Sequence, residues 1–307
     1  MKKNLLIVLL SFFQLLFVWG CKKSDSSSDP IAKSTPSNIS LGGKILYESV
    51  TDGIHLFNVN TALDQKLFDG TYPERTSSGK IIYILNNPNR LMISNEEGTS
   101  KSTLVVNSSM YFQCPRASSD GKLIALHNLY SSTINSISKG TIVYKDDGTV
   151  LTRLDNLFHP DWTPDGNLVL SGSYGNLYGP QTTLQEGIFI TSKDLDNPKR
   201  IDPNLTAPMM PSVSPDGGKV AFIYDGHVWV MNIDGSNLKQ ITKSTTKETY
   251  PYWTPDGKYI VFNYTKGGSV MAIVPSNETT TISDDTECYI FTGENQLLNS
   301  ADQINNW

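Results

Sequence analysis

Pro211-Ser212-Val213-Ser214-Pro215-Asp216-Gly217 returns farther along the chain as Pro251-Tyr252-Trp253-Thr254-Pro255-Asp256-Gly257. Each copy runs into a short apolar strand, Lys219-Val220-Ala221-Phe222-Ile223 and Lys258-Tyr259-Ile260-Val261-Phe262. Between them lie a second strand, Val228-Trp229-Val230-Met231, the turn Asp234-Gly235, and a third strand from Leu238 to Thr242. Asp-Gly between apolar strands is a hairpin signal, because glycine accepts the positive φ of a tight turn. A unit made only of strands and turns, with a period of about forty residues, predicts a propeller blade.

The same pattern extends toward the N-terminus with growing wear. Pro160-Asp161-Trp162-Thr163-Pro164-Asp165-Gly166 is a full match. Pro115-Arg116-Ala117-Ser118-Ser119-Asp120-Gly121 lacks the second proline, and Pro73 to Gly79 also lacks the aspartate. Pro36 to Gly42 keeps the frame. Prolines at 36, 73, 115, 160, 211 and 251 therefore open six repeats, predicted to be four-stranded antiparallel blades of an all-β, six-bladed propeller. Closing the ring removes exposed sheet edges. The stretch Glu287-Cys288-Tyr289-Ile290-Phe291 reads as a strand. It is expected to close the ring by pairing into the first blade, the alternative being an outer tail.

These repeats resemble the WD-like repeats of TolB-type propellers over Pro36 to Ser283, most specifically in the copies at Pro160, Pro211 and Pro251. The resemblance implies the six-bladed fold. It does not extend to the mixed α/β domain that precedes the propeller in TolB, since only a short tether precedes the first blade here. Related propellers also occur in prolyl-oligopeptidase-type peptidases, joined to a hydrolase domain. The nearest approach to a nucleophile elbow in this chain is Ser171-Gly172-Ser173-Tyr174-Gly175, which lacks the first glycine and sits in a hairpin loop.

The front end bears on location. Met1-Lys2-Lys3, an apolar run from Leu5 to Val18, and Trp19-Gly20-Cys21 describe a secretory leader ending at a cysteine. This resembles a lipoprotein signal, although Trp19 departs from the small residues usual there. The expected layout is a leader over 1–20, lipid on Cys21, a Ser-rich tether over 21–34, the propeller over 35–292 and a tail over 293–307. Under the enterobacterial lipoprotein sorting rule, the absence of an acidic residue directly after Cys21 implies the outer membrane, facing the periplasm or the cell surface. The formal net charge is −5 and becomes more negative once Lys2 and Lys3 leave with the leader, which argues against nucleic-acid binding. Cys114 and Cys288 are expected as separate thiols, because the first and third blades stand too far apart for a disulfide.

Strand order sorts the candidate residues by face. The Pro-Asp-Gly turns share one face with the turns between third and fourth strands. The other face carries the long loops Asn128 to Gly140 and Ser171 to Gly187, with Tyr130, Tyr174, Asn176 and Tyr178 among glycine and serine. The residues before each proline (Thr35, Tyr72, Cys114, His159, Met210 and Tyr250) are placed near the central channel on that same face. A channel metal would need several His or carboxylate ligands from this ring, and only His159 qualifies. The aspartates at 120, 165, 216 and 256 are expected to cap turns, and Trp162 and Trp253 to pack between blades. The expectation is therefore a monomeric, lipid-anchored envelope propeller with no metal or cofactor. It would bind a protein, peptide or glycan without catalysis, through Tyr130, Tyr174, Asn176, Tyr178, Tyr72, His159 and Tyr250. The alternative is a carbohydrate-active lyase or glycosidase that uses the channel.

Overall fold

The computed structural model describes residues 43–49, 52–58, 61, 63–87, 89–107, 110–130, 139–174, 185–265, 269–282 and 289–291. Six antiparallel sheets follow one another along the chain as the blades of a propeller. Five carry four strands, and the first shows three among the described residues, Lys44–Ser49, Gly53–Asn58 and Leu63–Phe68. Its expected innermost strand near Pro36 lies outside them. The third blade shows the plan: Met110–Ala117, Leu123–Tyr130, Gly140–Lys145 and Val150–Asp155 pair in chain order from the axis outward.

The apolar strands are buried on both sides because each blade is sandwiched between two others. In Lys219–Tyr224, Val220 and Phe222 join a cluster with Val169 and Ile188 of the fourth blade. The alternate residues Ala221 and Ile223 join Ile260 and Phe262 of the sixth. The period-two alternation of a strand therefore serves two cores. Trp162 and Trp253 lie between blades as expected, and each indole N–H donates to the preceding blade at 3.0 Å, to the carbonyls of Arg116 and Ser212.

The Pro-Asp-Gly turns are built as the sequence predicts. Asp216 accepts from the Ser214 hydroxyl at 2.6 Å and the Gly218 N–H at 2.9 Å, and Asp256 accepts from Thr254 at 2.6 Å and the Lys258 N–H at 3.0 Å. Gly217 closes its turn at φ +74°. At the rim, Gly235 serves a second need: a Cβ there would overlap the Ile201 carbonyl oxygen of the preceding blade.

One expectation is corrected. Tyr289–Phe291 pairs antiparallel with Ser269–Pro275 and is the outermost strand of the sixth blade, so it does not close the ring inside the first. The reason lies just upstream. Thr280–Thr281 pairs in parallel with Thr242–Lys243, and the N–H groups of Thr280 and Ile282 donate to the carbonyls of Ile241 and Lys243 at 2.7 Å. That diversion leaves the outer edge of Ser269–Pro275 open, and Tyr289–Phe291 fills it. Cys288 lies outside the described residues, and Cys114 is a buried thiol.

Candidate functional site

The residue before each blade-opening proline takes a left-handed backbone. Tyr72, Cys114, His159, Met210 and Tyr250 have φ between 48° and 55°. At each of these places the pairing register shifts, so the residue and its proline form a bulge in the innermost strand. The bulge explains the proline, which has no N–H to give the ladder and sits where none is required. Positive φ at these bulky residues costs on the order of 1–3 kcal/mol each, and its repetition in five blades makes it part of the architecture.

The bulge gathers the expected slot residues at the channel. Cys114, His159, Met210 and Tyr250 line one small cavity together with Arg116 and the prolines 160, 211 and 251; its volume is about 20 Å³. Tyr72 differs, since its side chain packs against the core between the second and third blades while its N–H donates to Glu48 of the first at 2.8 Å. Thr35 lies outside the described residues.

The residue after the same proline carries more of the electrostatics, and sequence reasoning missed it. Arg116 of the third blade meets Glu74 of the second at 3.4 Å and Asp161 of the fourth at 3.5 Å, and its guanidinium stands 5.3 Å from the ring centroid of Tyr252 in the sixth. Asp161 also accepts the Val213 N–H of the fifth blade at 2.7 Å. With the Glu48–Tyr72 and Trp253–Ser212 bonds, a polar belt passes through all six blades. The available signal was the mixed charge at one repeat slot: Glu74, Arg116, Asp161, Ser212, Tyr252.

His159 is mostly buried. Its Nδ1 lies 3.1 Å from the Ser171 hydroxyl, and its ring stands edge-on to His127 at 5.1 Å. Burial, helped by the Arg116 charge, lowers its pKa to about 4. Burial, helped by His159, lowers that of His127 to about 3, and neither ring nitrogen of His127 has a hydrogen-bond partner. Both imidazoles are thus neutral at pH 7. Among the described residues no three His, Cys, Asp or Glu side chains converge on a point that could hold a metal ion.

The backbone places Tyr130 and Tyr174 at the ends of second strands, on the face opposite the Pro-Asp-Gly turns. Asn176, Tyr178 and Cys21 lie outside the described residues. The turn face itself, not weighed from sequence, carries two larger cavities. One of about 340 Å³ is lined by Asp161, Trp162, Pro164, Tyr252 and Trp253 among others, and one of about 360 Å³ by Pro215, Asp216, Lys219, Trp253, Pro255 and Asp256.

No protein-family model matches the chain, and no curated protein matches its sequence. Solved structures share its fold. TolB from Acinetobacter baumannii superposes with a TM-score of 0.64 at 15% identity, covering 83% of this chain and 64% of that one. The chain thus spans under two thirds of that TolB. A TolB-type protein from Agrobacterium tumefaciens gives 0.61 at 16% identity, covering 87% and 95%. An oligogalacturonate lyase in complex with manganese gives 0.52 at 11% identity, covering 77% and 84%. The fold is that of TolB-type propellers, and identities this low speak for the fold alone.

Proposed function

We propose that the protein is a lipid-anchored propeller of the bacterial cell envelope that binds a protein, peptide or glycan on its outer surfaces without catalysis. The observation that carries this reading is how the channel is crossed at Arg116. Arg116 is bound to Glu74, Asp161 and Tyr252 across the axis, and the cavity beside it measures about 20 Å³. That is room for about one water, whereas pockets that enclose small ligands run to about 300–1,000 Å³. Arg116, Glu74 and Asp161 are committed to holding blades together, and the larger cavities open on the turn face of the scaffold, where recognition can take place. The lipobox-like leader ending at Cys21 supports the location.

The test is photo-crosslinking capture in intact envelopes from cells producing the full chain, with a Cys21→Ala variant beside it. The expected result is a specific partner captured by the membrane-bound protein, and release from the membrane in the variant. Unchanged fractionation of the variant would remove the lipid anchor. Polysaccharide turnover by the purified protein would replace binding with catalysis.

A further inference from the structure

We propose that the turn face of blades four to six is a docking surface for an extended, lysine- or arginine-rich segment of a partner protein. The proposal rests on the binding-module reading above and names its partner chemistry. The two cavities on this face share Ser214, Pro215, Trp253 and Pro255, so they form one groove running from the channel mouth outward between the fifth and sixth blades. Each is large enough to hold a side chain or a stretch of peptide.

Wall and rim have different chemistry. Pro164, Pro215 and Pro255 occupy one repeat slot on successive blades, and all three are exposed. Tyr252 adds an aromatic surface at the channel mouth. Such a wall suits aliphatic stems and offers few hydrogen-bond donors. Each proline is followed by an exposed carboxylate, Asp165, Asp216 or Asp256. A lysine or arginine can lay its methylenes along a proline and its charged head against the neighbouring aspartate. The spacing repeats from blade to blade, which fits an extended segment carrying several cations.

Charge supports the same partner. The Ser214 hydroxyl and the Gly218 N–H hold Asp216 below the usual carboxylate range, so it stays ionised. The rim turns of the fourth and fifth blades on the same face add Asp194 and Asp234. Opposing lysines are present. Lys193 stands 3.9 Å from Asp165, Lys258 stands 3.5 Å from Asp256, and Lys219 lines the groove. These two pairs are solvent-exposed, and such pairs hold weakly enough for an incoming cation to displace them. A polyanion meets repulsion here.

The experiment uses the full mature chain in detergent and fluorescence anisotropy with two labelled probes, an alternating Lys-Pro dodecapeptide and its Glu-Pro counterpart. The test variant is D165N/D216N/D256N. Asparagine keeps an acceptor for the turn N–H and hydroxyl groups, so charge is removed with the turns retained. The Lys-Pro peptide should bind more weakly as salt rises, and about tenfold more weakly to the triple variant, while the Glu-Pro peptide should not bind. Lys219→Glu should tighten binding, a gain that misfolding cannot mimic. No Lys-Pro binding, equal binding of both peptides, or a triple variant indistinguishable from wild type would overturn the proposal. Envelope capture separates the two readings. A partner held equally by wild type and triple variant refutes this surface and keeps the binding module, whereas polysaccharide turnover refutes both.

Discussion

The guanidinium of Arg116 faces the ring of Tyr252 across the propeller axis at 5.3 Å, joining the third blade to the sixth. Glu74 and Asp161 flank it, and the side chains of Arg116 and Glu74 are almost fully buried. Removing one partner of such a set leaves charge without compensation in a poorly solvated place. Arg116→Met should therefore cost about 3–5 kcal/mol in urea unfolding. Adding Glu74→Gln should recover part of the loss, and Arg116→Lys should not restore full stability, because an ammonium cannot serve both carboxylates and the ring as the planar fork does. A loss under about 1 kcal/mol for Arg116→Met would show the belt to be decorative.

Trp162 and Trp253 test the joints between blades. Phenylalanine at either position removes the indole N–H donated to the preceding blade and leaves a buried carbonyl without that donor. Each change should cost about 1–3 kcal/mol. The two indoles lie in different blades with different partners, so the double variant should lose the sum. Marked non-additivity in the urea midpoints would mean that the joints are coupled around the ring.

His55 sets a pH dependence. Its Nε2 lies 2.9 Å from Asp52, its Nδ1 lies 3.2 Å from Asp64, and Tyr47 donates to Asp64 at 2.7 Å. Carboxylates only accept, so satisfying both nitrogens requires the imidazolium. Burial alone would lower the His55 pKa, but the hydrogen bonds and charges of Asp64 and Asp52 outweigh it and raise the pKa above its ordinary value. Lys66 and Asp69 complete the nearby charges. The folded form holds the proton more tightly than the unfolded chain, whose histidine titrates near about 6.5. The stabilisation is full below that pH and is lost as pH rises through the folded pKa. Urea midpoints should fall as pH rises above about 6.5, and Asp64→Asn should flatten the fall.

His127 gives the opposite sign. The folded imidazole resists protonation down to about 3, while the unfolded one accepts a proton near about 6.5. Stability linked to His127 is therefore lost as pH falls below that upper value. His127→Leu should weaken this acid sensitivity. It should also be neutral or stabilising at pH 7, since no hydrogen bond is given up. A loss above about 2 kcal/mol at pH 7 would reveal a bound water or ligand on the ring.

What could be read from the sequence follows from how locally each feature is determined. The Asp-Gly turns are chemistry within a few residues, so Asp216 and Asp256 could be assigned as caps directly. The two-sided apolar strands could be read too, because Val220 to Ile223 has no polar face. The left-handed residues escaped. Tyr72, Cys114, His159, Met210 and Tyr250 share no side-chain chemistry, and their φ is imposed by the bulge and by the proline that follows. Arg116 escaped because its partners lie in three other blades. The diversion of Thr280–Thr281 onto Thr242–Lys243 depends on an edge that no local pattern marks. The strand at Tyr289 to Phe291 was recognised, and its place was not.

A propeller that binds without catalysis meets its most direct test in one assay. Purified full-length protein is incubated with a panel of acidic and neutral polysaccharides, and new reducing ends and unsaturated uronides are followed alongside metal analysis of the same sample. No product above blank and no stoichiometric metal are expected. Product that scales with protein concentration and disappears in His159→Ala, accompanied by one metal per chain, would contradict it.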